Sequence, residues 1–130
     1  MSRRKTPPTP PYRSHFEENV AKGLRKKRRK FGYEDVKINY VIPESKHTYT
    51  PDFTLSNGVI IEAKGKWDHA SRKKMLLVIK QNPYLDIRML FMRAKNKIRK
   101  GSQTSYADFC DKHNITWAQG PEVPKEWLRK

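Results

Sequence analysis

The chain has 130 residues, enough for one domain with a real core and too few for two enzymes in tandem. Lys and Arg number 29 against 13 Asp and Glu, a formal net charge of +16, with hydrophobic residues at 35%. That balance predicts a polyanionic partner bound by phosphate neutralisation, since a membrane surface would also require an amphipathic or lipidated anchor that the pattern lacks. The longest purely aliphatic run, Met75 to Ile79, is far short of the roughly 20 residues that span a bilayer, and no apolar signal region opens the chain, so a soluble, cytoplasmic protein is expected. The single cysteine, Cys110, excludes an intramolecular disulfide and a multi-cysteine zinc site, and reads as a small buried thiol.

Charge divides the chain. Basic residues outnumber acidic ones 11 to 2 over residues 1–30 and 16 to 6 over 63–130, whereas residues 31–62 hold 2 basic and 5 acidic side chains. An acidic segment in a basic chain is what a cation site facing a polyphosphate requires. Residues 1–11 carry four of the nine prolines and three basic residues, which predicts an extended, disordered arm ahead of a domain over 12–130. From Ser14 to about Lys30, Phe16, Val20 and Leu24 recur at helical spacing, with Phe31 continuing the series, and Ser14 with Glu17 fits a capping box. The run Arg25 to Lys30 repels itself unless an anion lies alongside, which favours DNA. Val36, Ile38, Tyr40 and Ile42 alternate as a strand ending at Pro43, and Glu44 to His47 reads as a polar connector. Strands over about 48–55 and 59–64 flank a Ser56-Asn57-Gly58 turn. Asp68 or Ser71 caps a helix to about Gln81 with Met75, Leu76 and Ile79 inward, and Pro83 ends it. A buried strand at 87–92, a basic loop closed by Gly101, a short helix after Ser105 and Asp108, a strand at 115–118 and one helical turn around Trp127 complete the series. The order predicts an α/β fold, a mixed sheet with helices packed on it.

The densest candidate for chemistry is Pro51-Asp52, nine intervening residues, then Glu62-Ala63-Lys64. If Ser56-Asn57-Gly58 forms a three-residue loop with Gly58 left-handed, Asp52 stands opposite Glu62 on one face and Lys64 joins them two residues along. A two-residue Asn-Gly turn would instead put the two carboxylates on opposite faces. Paired carboxylates imply a divalent cation, and hard oxygen ligands point to magnesium, with manganese as a substitute. Such an ion could hold a scissile phosphate oxygen while the Lys64 ammonium orients water or offsets developing charge. Standing alone, so loose a motif is more often a turn-capping Asp52 with ordinary surface residues. Here Glu62 interrupts the apolar run Val59-Ile60-Ile61, where an unpaired carboxylate is costly, and the surrounding chain is basic. On a helical wheel Glu17 falls about 50° from the apolar centre and Glu18 about 150°, at about 100° per residue. Glu17 can therefore face the protein as a ligand or serve the cap, while Glu18 faces solvent. Arg13, Arg25, Lys26, Lys46, His47, Lys66, Arg72, Lys73 and Lys74 are the candidate DNA contacts. Trp67, Trp117 and Trp127 read as packing residues rather than base-stacking platforms, and the four histidines are too scattered for zinc.

Tyr40-Val41-Ile42-Pro43, His47-Thr48-Tyr49-Thr50-Pro51-Asp52-Phe53, Glu62-Ala63-Lys64-Gly65, and Lys100-Gly101-Ser102 with Thr104-Ser105-Tyr106 and Phe109-Cys110 resemble the phage endonuclease I family of Holliday-junction resolvases. The likeness runs from about Tyr12 to Trp127. It implies a restriction-endonuclease-like core of helix, three strands, helix and strand, and a magnesium-dependent enzyme that cuts four-way and other branched DNA to leave 5′-phosphates. By position it implies that Asp52 bridges metal, Glu62 is a second ligand, Ala63 binds through its carbonyl, Lys64 is the catalytic lysine and Glu17 the N-terminal catalytic glutamate. It also implies a domain-swapped homodimer whose bridge is residues 44–50, with Glu17 of one chain completing the site of the other. The other readings are a sequence- or mismatch-directed nuclease of the same superfamily and a non-catalytic basic nucleic-acid binder.

Overall fold

A computed structural model describes residues 7–42 and 45–129. Helix α1 (His15–Lys26) begins where the Ser14 hydroxyl accepts the Glu17 N–H at 3.0 Å. It stops four residues short of the predicted end, because Arg28 turns left-handed (φ 55°) and the Lys27 ammonium binds the Val123 carbonyl and Glu122, each at 2.8 Å. Phe31, predicted to extend the helix stripe, instead opens an unpredicted edge strand, β1 (Phe31–Tyr33). The next strand is β2 (Ile38–Ile42), and the predicted polar connector is largely strand β3 (Ser45–Tyr49). Pro43 and Glu44 lie outside the described residues. Strands β2 and β3 pair only with each other, while β4 (Phe53–Leu55) and β5 (Val59–Lys64) enter the main sheet. The strand expected over 48–55 is therefore two strands broken at Thr50-Pro51-Asp52, where Pro has no N–H to give a ladder.

Asp68 caps α2 (His69–Gln81), accepting the Ser71 N–H at 2.8 Å, and β6 (Asp86–Phe91), α3 (Tyr106–Lys112) and β7 (Thr116–Gln119) follow. Ser105 and Asp108 form the predicted capping box. A short 3-10 turn, Lys125–Leu128, carries Trp127 into the core. The sheet order is β1-β4-β5-β6-β7, antiparallel through β5 and parallel from β5 to β7, the mixed sheet that was expected.

Alternation along β5 divides the core. Val59, Ile61 and Ala63 face α1 and the C-terminal turn, with Val20, Leu24, Phe53 and Trp127; Ile60 faces α2, α3 and the β2–β3 hairpin, with Tyr40, Tyr49, Met75 and Val78. The buried stripe of α2 is Arg72, Met75 and Val78, with Leu76 and Ile79 only half-buried, a rotation of the predicted face. Cys110 is buried as expected, and burial pushes its thiol up to about 12. Of the predicted arm, residues 1–6 lie outside the described residues, but Thr9 is docked: its N–H reaches the Glu18 carboxylate at 3.3 Å. Glu18 is consequently buried rather than facing solvent, with Lys22 3.6 Å away, and the Thr9 contact holds its carboxyl below the usual range.

Candidate active site

The site begins in the β4–β5 turn. Gly58 is left-handed (φ 94°) and its N–H closes the turn on the Leu55 carbonyl at 3.0 Å. Phe53 then pairs with Ile61 and Thr54 with Ile60, the register of a three-residue loop, which when continued sets Asp52 opposite Glu62. Pairing ends at Phe53 and the strands part. The Asp52 carbonyl accepts the Glu34 N–H at 3.0 Å, and its carboxylate takes over as partner of the Ala63 N–H, also at 3.0 Å. N–H and C=O of one strand residue project to the same side, so the Ala63 carbonyl opens toward Asp52. Lys64 directs its own carbonyl the other way, to the Met92 N–H of the strand β6 side.

Glu17, Asp52, Glu62, Ala63 and Lys64 all line one polar cleft of about 500 Å³, with Arg13, Glu34, Lys37, Tyr49 and Lys74 around them. A single chain thus brings all five predicted site residues together. Burial first, then the adjoining Glu62 and next Glu17, push the Asp52 carboxyl up to about 10, against the opposing Ala63 N–H. Two carboxylates packed this closely repel, which favours a cation between them. Glu17 lies on the opposite wall. Its carboxylate accepts the Arg13 N–H at 2.9 Å and a short hydrogen bond from the Tyr33 hydroxyl, while its own N–H serves Ser14, so the helix cap and the cleft share this residue. Burial and the Glu17 carboxylate raise the Tyr33 hydroxyl well above its ordinary value.

Among the described residues no three His, Cys, Asp or Glu side chains converge on one point. The donor set on this side of the cleft is two carboxylates and a carbonyl. Magnesium suits such a set, because it keeps several waters and takes only one or two protein carboxylates, whereas zinc would seek nitrogen or sulfur ligands.

The predicted DNA contacts are spread more widely. Arg13 sits at the cleft, 3.0 Å from Glu34, and Lys74 enters it from α2, its ammonium over the Tyr40 and Tyr49 rings at 5.8 and 5.5 Å. Lys46 and His47 are exposed on β3, where His47 stacks on Tyr40 and bonds the Ser45 hydroxyl at 2.9 Å. Arg25 and Lys26 are exposed on α1, with Arg25 bonded to the Tyr12 hydroxyl at 3.0 Å. Lys66 and Lys73 border a separate groove floored by Leu76, Ile98 and Phe109. Arg72 is a correction: it is 5% exposed and donates to the carbonyls of Trp67 and Ile98 at 2.6 and 3.1 Å, so its guanidinium holds the fold together. Tyr33 and Tyr49 are site residues that sequence reasoning passed over: Tyr33 bonds the Glu17 carboxylate, and Tyr49 lines the cleft beside Glu62. Only the unusual Thr48-Tyr49-Thr50-Pro51-Asp52 string signalled Tyr49, and nothing local signalled Tyr33.

Comparison with known proteins defines the class as DNA endonuclease. The chain is 50% identical over 119 residues to "Endonuclease I" of Escherichia phage T7, covering 92% of this chain and 79% of that protein. It is 53% identical over 107 residues to "Endodeoxyribonuclease 1" of Enterobacteria phage T3, covering 82% and 70% respectively. The family model for phage endonuclease I matches residues 1–130, a wider span than Tyr12 to Trp127, and the chain belongs to that family. Among the described residues no helix is long and apolar enough to cross a membrane.

Proposed function

We propose that the protein is a magnesium-dependent, structure-selective endonuclease that resolves four-way junctions and other branched DNA, leaving 5′-phosphates. The observation that carries this reading is the facing of Asp52 and Glu62, with Lys64 beside them, in a cleft of a chain whose net charge is +16. Asp52, Glu62 and the Ala63 carbonyl would hold the ion, with Glu17 reaching it from the other wall; manganese would substitute. When bound, the ion supplies charge neutralisation at a phosphate oxygen and a lowered pKa for coordinated water. The Lys64 ammonium orients the attacking water and balances the charge that grows on phosphorus oxygens. Water adds to phosphorus, the P–O3′ bond breaks, and a 5′-phosphate and a protonated 3′-hydroxyl result. Tyr33 and the Arg13 N–H fix the Glu17 carboxylate, and Lys74 and Arg13 meet the DNA backbone at the cleft rim.

A four-way junction needs two symmetric cuts, which two equivalent sites of a two-fold homodimer supply. Strands β2 and β3 form a sheet of their own, so opening of this hairpin with residues 44–50 as the bridge would carry the preceding segment, Glu17 included, to a partner and rebuild the same cleft from two chains. Magnesium-dependent cleavage of a synthetic four-way junction, beside a linear duplex of the same sequence and with Glu62→Gln as control, tests the reading. Junction-selective cutting that the variant lacks is expected. Binding without cutting in magnesium or manganese would return the protein to the basic nucleic-acid binders, and equal cutting of the duplex would favour a sequence-directed nuclease.

A further inference from the structure

We propose that the Tyr49 hydroxyl is a positioning group for Glu62, a buried hydrogen-bond donor that fixes this carboxylate as a ligand. This inference rests on the metal reading above and assigns a role to a side chain that reading leaves unused.

Tyr49 ends β3 opposite Ile38 and is 2% exposed. Its hydroxyl oxygen is buried and makes no fully formed hydrogen bond among the described residues, yet it lies close enough to the Glu62 carboxyl to interact with it. The acidic groups whose charge it feels are Glu62 first and Asp52 second, and all three residues line the same cleft. Several other polar groups of the cleft are engaged: Asp52 with the Ala63 N–H, Glu17 with Tyr33, Lys37 with Thr50, Arg13 with Glu34. Tyr49 is a buried donor without a fully formed bond, set beside carboxylates.

A buried hydroxyl with no partner costs free energy that a phenylalanine would not. Phe53 and Phe91 are fully buried and pack without any polar atom, so the ring alone does not account for a tyrosine here. The acceptor within reach is the Glu62 carboxylate. A carboxylate has about four lone-pair sites, so Glu62 can accept from Tyr49 while another of its lone pairs faces a cation. A donated O–H from Tyr49 then fixes the rotamer of Glu62, as outer-shell groups commonly do for ligating carboxylates. Lys74, over the Tyr49 ring at 5.5 Å, keeps that ring in place from the α2 side.

The test is Tyr49→Phe, which retains the ring and removes only the hydroxyl. Magnesium alone is titrated calorimetrically into the full chain without DNA, for wild type, Tyr49→Phe and Glu62→Gln, and each is melted in EDTA. The expected result is a Tyr49→Phe affinity for magnesium about tenfold weaker, at the lower end of what loss of an outer-shell partner costs. Its melting temperature in EDTA should be equal to or above wild type, and its kcat should fall with KM for junction DNA unchanged. Wild-type magnesium affinity in Tyr49→Phe, with Glu62→Gln impaired, overturns the positioning role and leaves the metal reading intact. Wild-type magnesium affinity in Glu62→Gln removes the metal reading and this inference with it. A lowered melting temperature in EDTA with unchanged magnesium affinity assigns the hydroxyl to packing alone and likewise overturns the proposal.

Discussion

Asp52→Asn should stabilise the metal-free protein, and by an amount that grows with pH. The Asp52 carboxyl is displaced upward from 3.8 to about 10, by burial first and then by Glu62. A carboxyl raised on folding contributes its full share of stability below the unfolded value and loses it as pH rises toward the folded one. The wild-type penalty therefore starts near pH 4 and is still accumulating at pH 7. Three pH units at about 1.4 kcal/mol each give an upper bound of about 4 kcal/mol. Two charges about 4 Å apart at an effective dielectric constant of about 20 give a similar figure. Relaxation of the cleft and entry of water leave roughly half, about 2 kcal/mol. With an unfolding entropy of about 2.1 cal/mol/K per residue and 130 residues, the melting temperature should rise by roughly 7 °C at pH 7 and hardly at all at pH 4. Asparagine keeps an oxygen for the Ala63 N–H, so the backbone contact survives the change. Calorimetric melts in EDTA at pH 4, 5.5, 7 and 8.5 read the effect. An equal shift at every pH, or a loss of stability at pH 7, would refute the reasoning.

Gly58→Ala should cost about 1 to 2 kcal/mol, since the left-handed backbone is the whole penalty and an added Cβ would meet nothing within 4 Å; urea unfolding measures it, and cleavage should fall with the loosened register. Arg72→Ala removes two charge-assisted hydrogen bonds to carbonyls and should destabilise by about 3 kcal/mol in the same unfolding assay. Lys73→Ala, on the exposed neighbour, should leave stability unchanged and flatten the salt dependence of DNA binding instead. Mixed Glu17→Gln and Asp52→Asn chains separate two assemblies: a swapped dimer places both defects in one site and leaves the other intact, so nicking of a junction returns, whereas sites built within single chains stay inactive.

Much of the site was legible because its geometry is set by short-range rules. The parity of a strand and the length of one turn suffice to put Asp52, Glu62 and Lys64 on a common face, and the three-residue loop around a left-handed Gly58 is what the structure contains. The helix caps at Ser14, Asp68 and Ser105 were equally local. What escaped depends on distant partners. Phe31 continues the spacing of α1 in one dimension, yet it pairs with Leu55, 24 residues on, as β1. Glu18 sits on the polar side of α1 by angle and is buried all the same, because Thr9 folds back over it. Arg72 looks like one cation among three, and the carbonyls of Trp67 and, from the loop after β6, of Ile98 make it structural. Ser45 to Tyr49 has too few apolar residues to announce a strand, and gains its ladder from β2.

The same contrast explains how a chain this basic keeps an acidic centre. Carboxylates elsewhere on a cationic protein are neutralised by neighbouring cations, and four are engaged here: Glu18 by Lys22, Glu34 by Arg13, Asp86 by Arg88 and Glu122 by Lys27. Asp52 and Glu62 make no ion pair among the described residues, although Lys64 and Lys74 line the same cleft. Strand geometry turns the Asp52 carboxylate onto a backbone N–H, and aromatic rings hold Lys74 at the wall. The pair therefore keeps its negative potential at the bottom of a positive surface, where it can attract a hard cation that lysine has not already replaced, while the surrounding charge draws in the phosphate on which that cation would act.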